Sequence, residues 1–592
     1  MKIAAALLGI ILLILWPILF SSPYDLKLLT IAGSFAILAI GYQFIFGDVG
    51  ELSLAQGGFF GFGAYVTGLL AVKWGAGFEI TMVLSIVAPV LLAALISIPV
   101  LRLSTHYFAL ATLGVGQILL LLAIDMSGLT GGALGLTGVP LPRLFDVFEI
   151  KRGVGSLIFV WSFVLIAAVL AAQVRRGAFG IACQIVRESP LAAKAMGINP
   201  DAIRLRMFLM SAAFAGAAGA LYAHTIRVVS PEALDFKVMV SVMTIVVIGG
   251  RTSVWGAIAA ALLIVHLPEW LKGFDRAYVM ITSGLLLLVL YVAPSGLGGL
   301  FDRLVGWWSP PKSPVSKLAR VGRGESVVRA TFPSETPILS VSGLSKSFGG
   351  VHAIEGVTFS LMRGSITAVI GPNGSGKSTL INCITGVYHP EQGDVMIGGS
   401  SVLGRRQDEI AALGIARTFQ NLRLAEDMTV LDNVAVGRFL SEDVGLMPAL
   451  IAGVRDEALE RARADAFHTL VHFGLGDVAH TLCASLPHGI KRVVEIARAV
   501  CLDPMVILLD EPAAGLNETE QAELARHLEG LAVQGMTLLI VEHNLPFLRS
   551  LATHMVCLDD GKVIADGRPE AVYQNKRVIE AYIGIGHQKE VA

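Results

Sequence analysis

Charge is scarce in this chain. Lys, Arg, Asp and Glu make up 15% of its 592 residues, while 54% are hydrophobic and the mean hydropathy is +0.70. A soluble protein of ordinary composition carries about 25% charged residues. So large a deficit excludes a wholly water-soluble chain and assigns part of it to lipid. Net charge is also nearly absent, at −1. Residues 1–305 hold 19 basic against 14 acidic residues, and the remainder 26 against 32. Neither half has the basic excess of a nucleic-acid binder. Cysteine is sparse: Cys183, Cys383, Cys483, Cys501 and Cys557 stand far apart, with no Cys-x-x-Cys. That spacing supports neither a disulfide framework nor a metal site and reads as buried or idle thiols in a reducing cytosol.

What the chain has instead is apolar runs. They lie near 3–20, 26–46, 54–72, 80–101, 105–124, 155–173, 207–226, 236–248, 254–271 and 278–293. About 20 apolar residues span a bilayer as a helix, so a polytopic α-helical membrane domain of about 8–10 spans is expected over 1–305. The first run has no small-x-small cleavage site after it and reads as a retained helix rather than a signal peptide. Six basic residues between Arg175 and Arg206 outnumber Glu188 and Asp201, which puts that loop in the cytoplasm. A cytoplasmic second half then requires 236–271 to be two passes, broken at Gly249-Gly250-Arg251. Broken helices are tolerated where protein surrounds them. The glycine-rich Gly57–Gly63 stretch reads as close helix packing. Gln43, Glu51, Gln56, His106, Gln117, Asp125, His224 and His266 are intramembrane polar candidates for a translocation path, most of them near helix ends, where a solvated role competes.

From 306 to 337 proline, serine and basic residues replace the apolar runs, marking a cytoplasmic linker. Beyond it, at 338–592, short apolar strands alternate with helical stretches, the pattern of a covered parallel sheet. The strand "ITAVI" leads into Gly371-Pro-Asn-Gly-Ser-Gly-Lys-Ser-Thr379, a P-loop. Its glycines let backbone N–H groups converge on phosphate, and Asn373, Gly374, Gly376 and Thr379 belong to that loop. Lys377 suits the β/γ-phosphates and Ser378 suits Mg²⁺. Asp510 and Glu511 close the strand "MVILLD", Asp510 for the Mg²⁺ shell and Glu511 as general base. His543 ends the next apolar strand, "TLLIVEH", placed to contact a γ-phosphate.

On these motifs the second half resembles an ABC ATPase over its whole length. The resemblance assigns Phe348 to adenine stacking, and Gln420 in "ARTFQN" to γ-phosphate and Mg²⁺ sensing. It places "LPHGI" at the signature, "ILLDEP" at Walker B and "AGLN" at the D-loop. "EPAAGLN" and "VIEAYIGIG" narrow it to the branched-chain amino acid importers. "GELSLAQGGFFGFGAY", "HYFALATLGVGQILLLL", "LTGG" and "RESPLAAKAMGINPDAIRLRMFLMSAAFAGAAGALYA" are similar to the permeases of those importers. The chain thus resembles a natural fusion of permease and ATPase. The resemblance makes Glu188 to Gly197, with Ala192 between them, a coupling helix.

The signature departs from the family's Leu-Ser-Gly-Gly-Gln: Leu486, His488 and Gly489 stand with Pro487 and Ile490. Pro487 brings neither hydroxyl nor N–H, though it fits a first helical turn. In the family each nucleotide lies between one P-loop and the partner domain's signature. Leu486, His488 and Gly489 would therefore serve a partner's ATP, and an unequal, heteromeric pair is expected.

The resemblance implies ATP and Mg²⁺ as cofactors, a second permease, a second ATPase, an extracytoplasmic substrate-binding protein and surrounding lipid in a bacterial inner membrane. The expected function is ATP-driven import of branched-chain or other hydrophobic amino acids. Related importers take urea or aromatic and alicyclic carboxylates. A half-exporter also places helices before its ATPase, but about ten short-looped apolar segments fit that plan poorly. A non-transporting ATPase fits poorly with intact Lys377, Asp510, Glu511 and His543.

Overall fold

The computed structural model describes residues 22–101, 105–145, 147–271, 336–440, 444–451 and 456–583, with isolated positions between 280 and 299. The helix expected at 3–20, most of 278–293 and nearly all of the 306–337 linker lie outside the described residues. The chain divides into two compact units. One comprises Met1–Arg176 with Asp201–Lys312; the other comprises Gly177–Pro200 with Ser313–Ala592.

The first unit is helical: α1 (Pro23–Gln43), α2 (Gln56–Lys73), α3 (Phe78–Val100), α4 (Thr105–Asp125), α5 (Val154–Arg176), then α8 (Pro200–Ile226), α9 (Phe236–Gly249) and α10 (Val254–Trp270). Among the described residues five helices are long and apolar enough to cross a membrane, and α9 and α10 are shorter apolar helices. Local chemistry sets their ends. Ser22 and Asp25 form a capping box on α1, with Pro23 in its first turn. Asp235 and Ser253 cap α9 and α10 by accepting from Lys237 and Gly256 N–H groups.

The expected break at Gly249–Arg251 is a hairpin. Gly250 has φ +105, a conformation side chains rarely adopt. Gly249 then lies against Gly256, so a methyl on Gly256 would overlap the Gly249 carbonyl. A kinked continuous helix would hold these two about 10 Å apart. The turn is anchored from two sides. Gln43 Nε2 donates to the carbonyls of Gly250 (2.8 Å) and Ser253 (3.0 Å). Arg175 donates to Thr252 O (2.8 Å) and pairs with Asp48 (2.9 Å). Nearby in sequence, Glu51 pairs with Arg204 (3.0 Å). Gln43 and Glu51, candidates for a polar path, are thus committed to internal partners. So is His224, held by Pro140 O and Thr81 Oγ1. His266 bonds to Leu262 O one turn before it. Gln56 is fully buried, and its side chain has no hydrogen-bond partner among the described residues. Gly63 meets Gly216 of α8 backbone to backbone, as expected of close packing.

The second unit contains α6 (Ala178–Glu188) and α7 (Pro190–Ala195) from the loop between α5 and α8. Its main sheet is built from β3 (Ile366–Ile370), β6 (Ile415–Arg417), β7 (Val506–Asp510), β8 (Thr537–Val541), β9 (His554–Asp559) and β10 (Lys562–Gly567). The order is β6-β7-β8-β3-β9-β10, parallel except for antiparallel β10 at the edge. Every residue of β3, β7 and β8 is buried, as continuous apolar runs require. A second sheet, antiparallel throughout, joins β1 (Leu339–Phe348), β2 (Val351–Leu361), β4 (Gln392–Ile397) and β5 (Ser400–Ser401) in the order β2-β1-β4-β5.

Replacing Gly256 by Ala should cost the first unit about 1–3 kcal/mol, the penalty of overpacking. The measurement is thermal unfolding of the detergent-solubilised chain, compared with Ala257→Ser.

Candidate functional site

Strand register brings the site together. Asp510 on β7 pairs with Val541 on β8, and Val541 with Val369 on β3. The P-loop, Glu511 and His543 therefore leave three adjacent strands at nearly one level. The strand expected to end in His543 ends at Val541, and His543 follows two residues later.

Between β3 and α11 (Lys377–Ile384) the P-loop turns on glycines. Gly374 has φ +85 and Gly376 φ +102. A Cβ on Gly374 would meet nothing within 4 Å, so the loop opens onto free space there. At Gly376 a Cβ would strike the Ala353 carbonyl. Asn373, Gly374 and Ser378 are exposed, and Thr379 is half-buried. Lys377 folds back on the loop, donating to Gly371 O (2.8 Å), Pro372 O (2.8 Å) and Ser375 Oγ (3.4 Å). Burial lowers its pKa, opposed by the charges of Glu511 and Asp510. A partly desolvated ammonium resting on neutral carbonyls is matched to an incoming polyanion. Gly371 N–H donates to the Tyr582 hydroxyl (3.0 Å) on α16 (Lys576–Ile583). Phe348, exposed at the end of β1, packs edge-on to Tyr388 with centroids 5.0 Å apart. These features fit a nucleoside triphosphate.

The acidic end is equally defined. Gln420 Nε2 donates to Glu511 Oε2 (3.0 Å), and His543 Nδ1 lies 3.8 Å from Glu511 Oε1. Glu511 has φ +48. A non-glycine residue there costs roughly 1–3 kcal/mol and persists only where its surroundings enforce it. Its N–H donates to Val541 O (2.9 Å). Asp510 is buried, and burial raises its pKa against the opposing pull of Arg417, whose Nη2 lies 3.4 Å away. The same guanidinium donates to Asn382 Oδ1 (2.7 Å) and Thr385 Oγ1 (3.0 Å). Buried Glu542 accepts from the N–H groups of Ala513, His543 and Asn544, fixing the turn that presents His543. Sequence reasoning passed over Arg417, Glu542, Tyr388 and Tyr582. Tyr582 lies within a quoted motif, and the buried charges were visible only as polar residues among apolar ones.

The signature segment opens α14 (His488–Cys501), which follows α12 (Gln407–Ala412) and α13 (Glu457–His472) in the chain. Pro487 occupies its N-cap without a side-chain cap, as its missing hydroxyl implies, and Leu486 precedes it in extended backbone. His488 lies near Gly515, and a Cβ on Gly489 would come within 2.6 Å of Glu520 at the start of α15 (Glu518–Val533).

The 178–197 segment is built into the same unit. Asp456 accepts from Ala178 N–H (2.7 Å) and also caps α13 through Leu459 N–H (3.0 Å). Ser189 caps α7, and Ala192 is fully buried. Glu188 pairs with Arg187, which also reaches Asp427 (3.7 Å). Gly197, at φ +75, abuts the Leu440 side chain, which a Cβ there would displace. Leu191 and Ala195 line a groove with Ile410, Ala411, Arg417 and Phe419. Arg417 thus lines this groove and also pairs with Asp510.

Comparison with known proteins adds to this geometry. Residues 25–292 match the family model described as branched-chain amino acid transport system / permease component. Residues 354–514 match the ABC transporter model. The high-affinity branched-chain amino acid transport ATP-binding protein BraF of Pseudomonas aeruginosa is 36% identical over 250 residues, 42% of this chain and 98% of that protein. LivG of Escherichia coli, carrying the same description, is 36% identical over 254 residues, 42% of this chain and 98% of its own length. A solved nucleotide-free ATP-binding cassette from an ABC transporter aligns at 32% identity over 42% of this chain and all of its own, with a TM-score of 0.37.

Arg417→Ala should strand a buried carboxylate and destabilise the second unit by about 3–5 kcal/mol. In metal-free denaturant unfolding of the solubilised chain, Asp510→Asn added to Arg417→Ala should recover part of that loss, a non-additivity that checks the pairing.

Proposed function

The chain belongs to the ABC importers of the branched-chain amino acid family, with a permease component and an ATP-binding component in one polypeptide, and from that premise we propose ATP-driven uptake of branched-chain or other hydrophobic amino acids. It is an ATPase coupled to transport, multi-pass in its first half. The reading places it in a bacterial inner membrane with the ATPase in the cytoplasm. The supporting partners are a second permease, a second ATPase and an extracytoplasmic substrate-binding protein.

Bound MgATP supplies a phosphoanhydride whose cleavage releases the energy for transport. Lys377 exchanges its carbonyl contacts for phosphate oxygens, alongside the loop amides from Asn373 to Thr379. Phe348, edge-on to Tyr388 and with Lys346 Nζ over its ring, is the exposed aromatic assigned to adenine. Ser378, Gln420 and Asp510 are the oxygen donors for Mg²⁺, a set suited to a hard cation. Glu511 takes the proton of the attacking water, Gln420 donates to that carboxylate and so orients it, and His543 beside it serves the γ-phosphate. Leu486, His488 and Gly489 serve the partner's nucleotide, and the uncapped Pro487 makes that second site the weaker one.

One observation carries the reading: residues 178–197 of the permease match fold into the ATPase unit, where Leu191 and Ala195 line one groove together with Arg417. Glu188, Ala192 and Gly197 are then the coupling segment, and movement of α7 is felt next to Asp510.

Vesicles holding this chain with its partner subunits should accumulate labelled leucine when binding protein and ATP are present, and Lys377→Ala should abolish accumulation. Uptake that survives Lys377→Ala would sink the proposal. Glu511→Gln should slow turnover about 10²–10⁴-fold, far more than Pro487→Ser alters it; equal and large effects of both would rule out the unequal pair.

A further inference from the structure

Helix α14 reaches the hydrolytic machinery through three charges that the mechanism above does not use. The side chains of Arg492 and Glu495 are each 1% exposed, and Arg498 is equally buried. Arg492 Nη1 donates to Phe419 O (2.7 Å) and Glu495 Oε2 (2.9 Å). Its Nη2 donates to Gln420 O (3.1 Å) and Glu511 O (2.9 Å). Arg498 donates to Arg423 O (2.8 Å), and Arg423 N–H donates to Glu495 (3.4 Å). A single planar guanidinium therefore holds the backbones of Gln420 and Glu511, whose side chains are themselves bonded to each other.

We infer that Arg492 is a positioning residue for ATP hydrolysis, fixing the backbone of Glu511 and the 419–423 loop so that Glu511 and Gln420 face the reacting phosphate together. The inference rests on the ATPase reading above. Its first support is the conformation of Glu511. A left-handed glutamate needs external restraint, and its two backbone polar groups are held by Val541 O on one side and Arg492 on the other. Its second support is the donor geometry. Reaching three carbonyls and a carboxylate requires a flat, multiply donating cation, which lysine is not. Its third is placement. Arg492 lies one turn along α14 from Gly489, so the helix that presents the signature also grips Glu511.

The test uses the assembled transporter in lipid nanodiscs, with Arg492→Lys and with Arg492→Gln, which leaves Glu495 paired with Arg498. Both should lower kcat for ATP roughly 10–100-fold, the scale of a misplaced catalytic group. KM for ATP and the thermal midpoint should stay within about twofold and a few degrees of the parent. Added to Glu511→Gln, Arg492→Lys should cause no further loss, because both act on one group. A parallel fall of kcat, binding and thermal midpoint in both variants, or an unchanged kcat, overturns the inference. So does a full multiplicative loss on the Glu511→Gln background. If Glu511→Gln alone leaves hydrolysis intact, the assignment of the site fails first and this inference with it.

Discussion

Parallel hydrogen-bond register is the constraint on which the site depends. Because β7, β8 and β3 pair in step, Asp510, Val541 and Val369 stand at one height. The loops that continue from them cannot avoid meeting. No single strand carries a functional constellation; the ladder makes one from three chain segments, β3 lying more than a hundred residues before β7 and β8. All fifteen residues of these strands are buried, so the frame is set by packing and main-chain bonds. The loops at its edge are then free to carry strained or charged groups.

Charge inside the second unit is arranged around that edge. Arg417 offsets Asp510, Arg492 and Arg498 offset Glu495, and Glu542 gathers three N–H groups. Buried ions of this kind contribute little net stability, since desolvation takes back most of the attraction. Their value is geometric, because each one ties a loop to an element that cannot move independently. Lys377 belongs to the same logic. Its resting contacts are carbonyls, which satisfy it without neutralising it.

Motif reading located the P-loop, the acidic pair at Asp510-Glu511, Gln420 and His543, because short contiguous patterns carry them. The structure brings Gln420, Glu511 and His543 within reach of one another. The break at Gly250 was legible from two glycines and a charge balance. Arg492 and Glu495 were not, since an Arg and a Glu three apart on a helix read as a solvated surface pair. Only long-range packing buries them. Arg417 was hidden in the same way inside "ARTFQN". The aromatic partner of Phe348 stands forty residues away in sequence, beyond any local pattern. The membrane half was legible as apolar runs, but which polar residues spend themselves on internal partners was not. Gln43 and Glu51 needed the contacts to Gly250 and Arg204 to be seen.

The position of α6 and α7 has a consequence for biosynthesis. This stretch leaves the ribosome well before Asp456, which accepts from Ala178, or Leu440, which abuts Gly197. At about 5–20 residues per second the delay to Asp456 is on the order of tens of seconds. During that interval Leu191 and Ala195 lack Ile410, Ala411 and Phe419, which line one groove with them in the finished protein. Maturation therefore closes backwards: the last-made half completes a piece of the first, and a nascent chain stalled between them carries an unburied apolar loop for quality control to find.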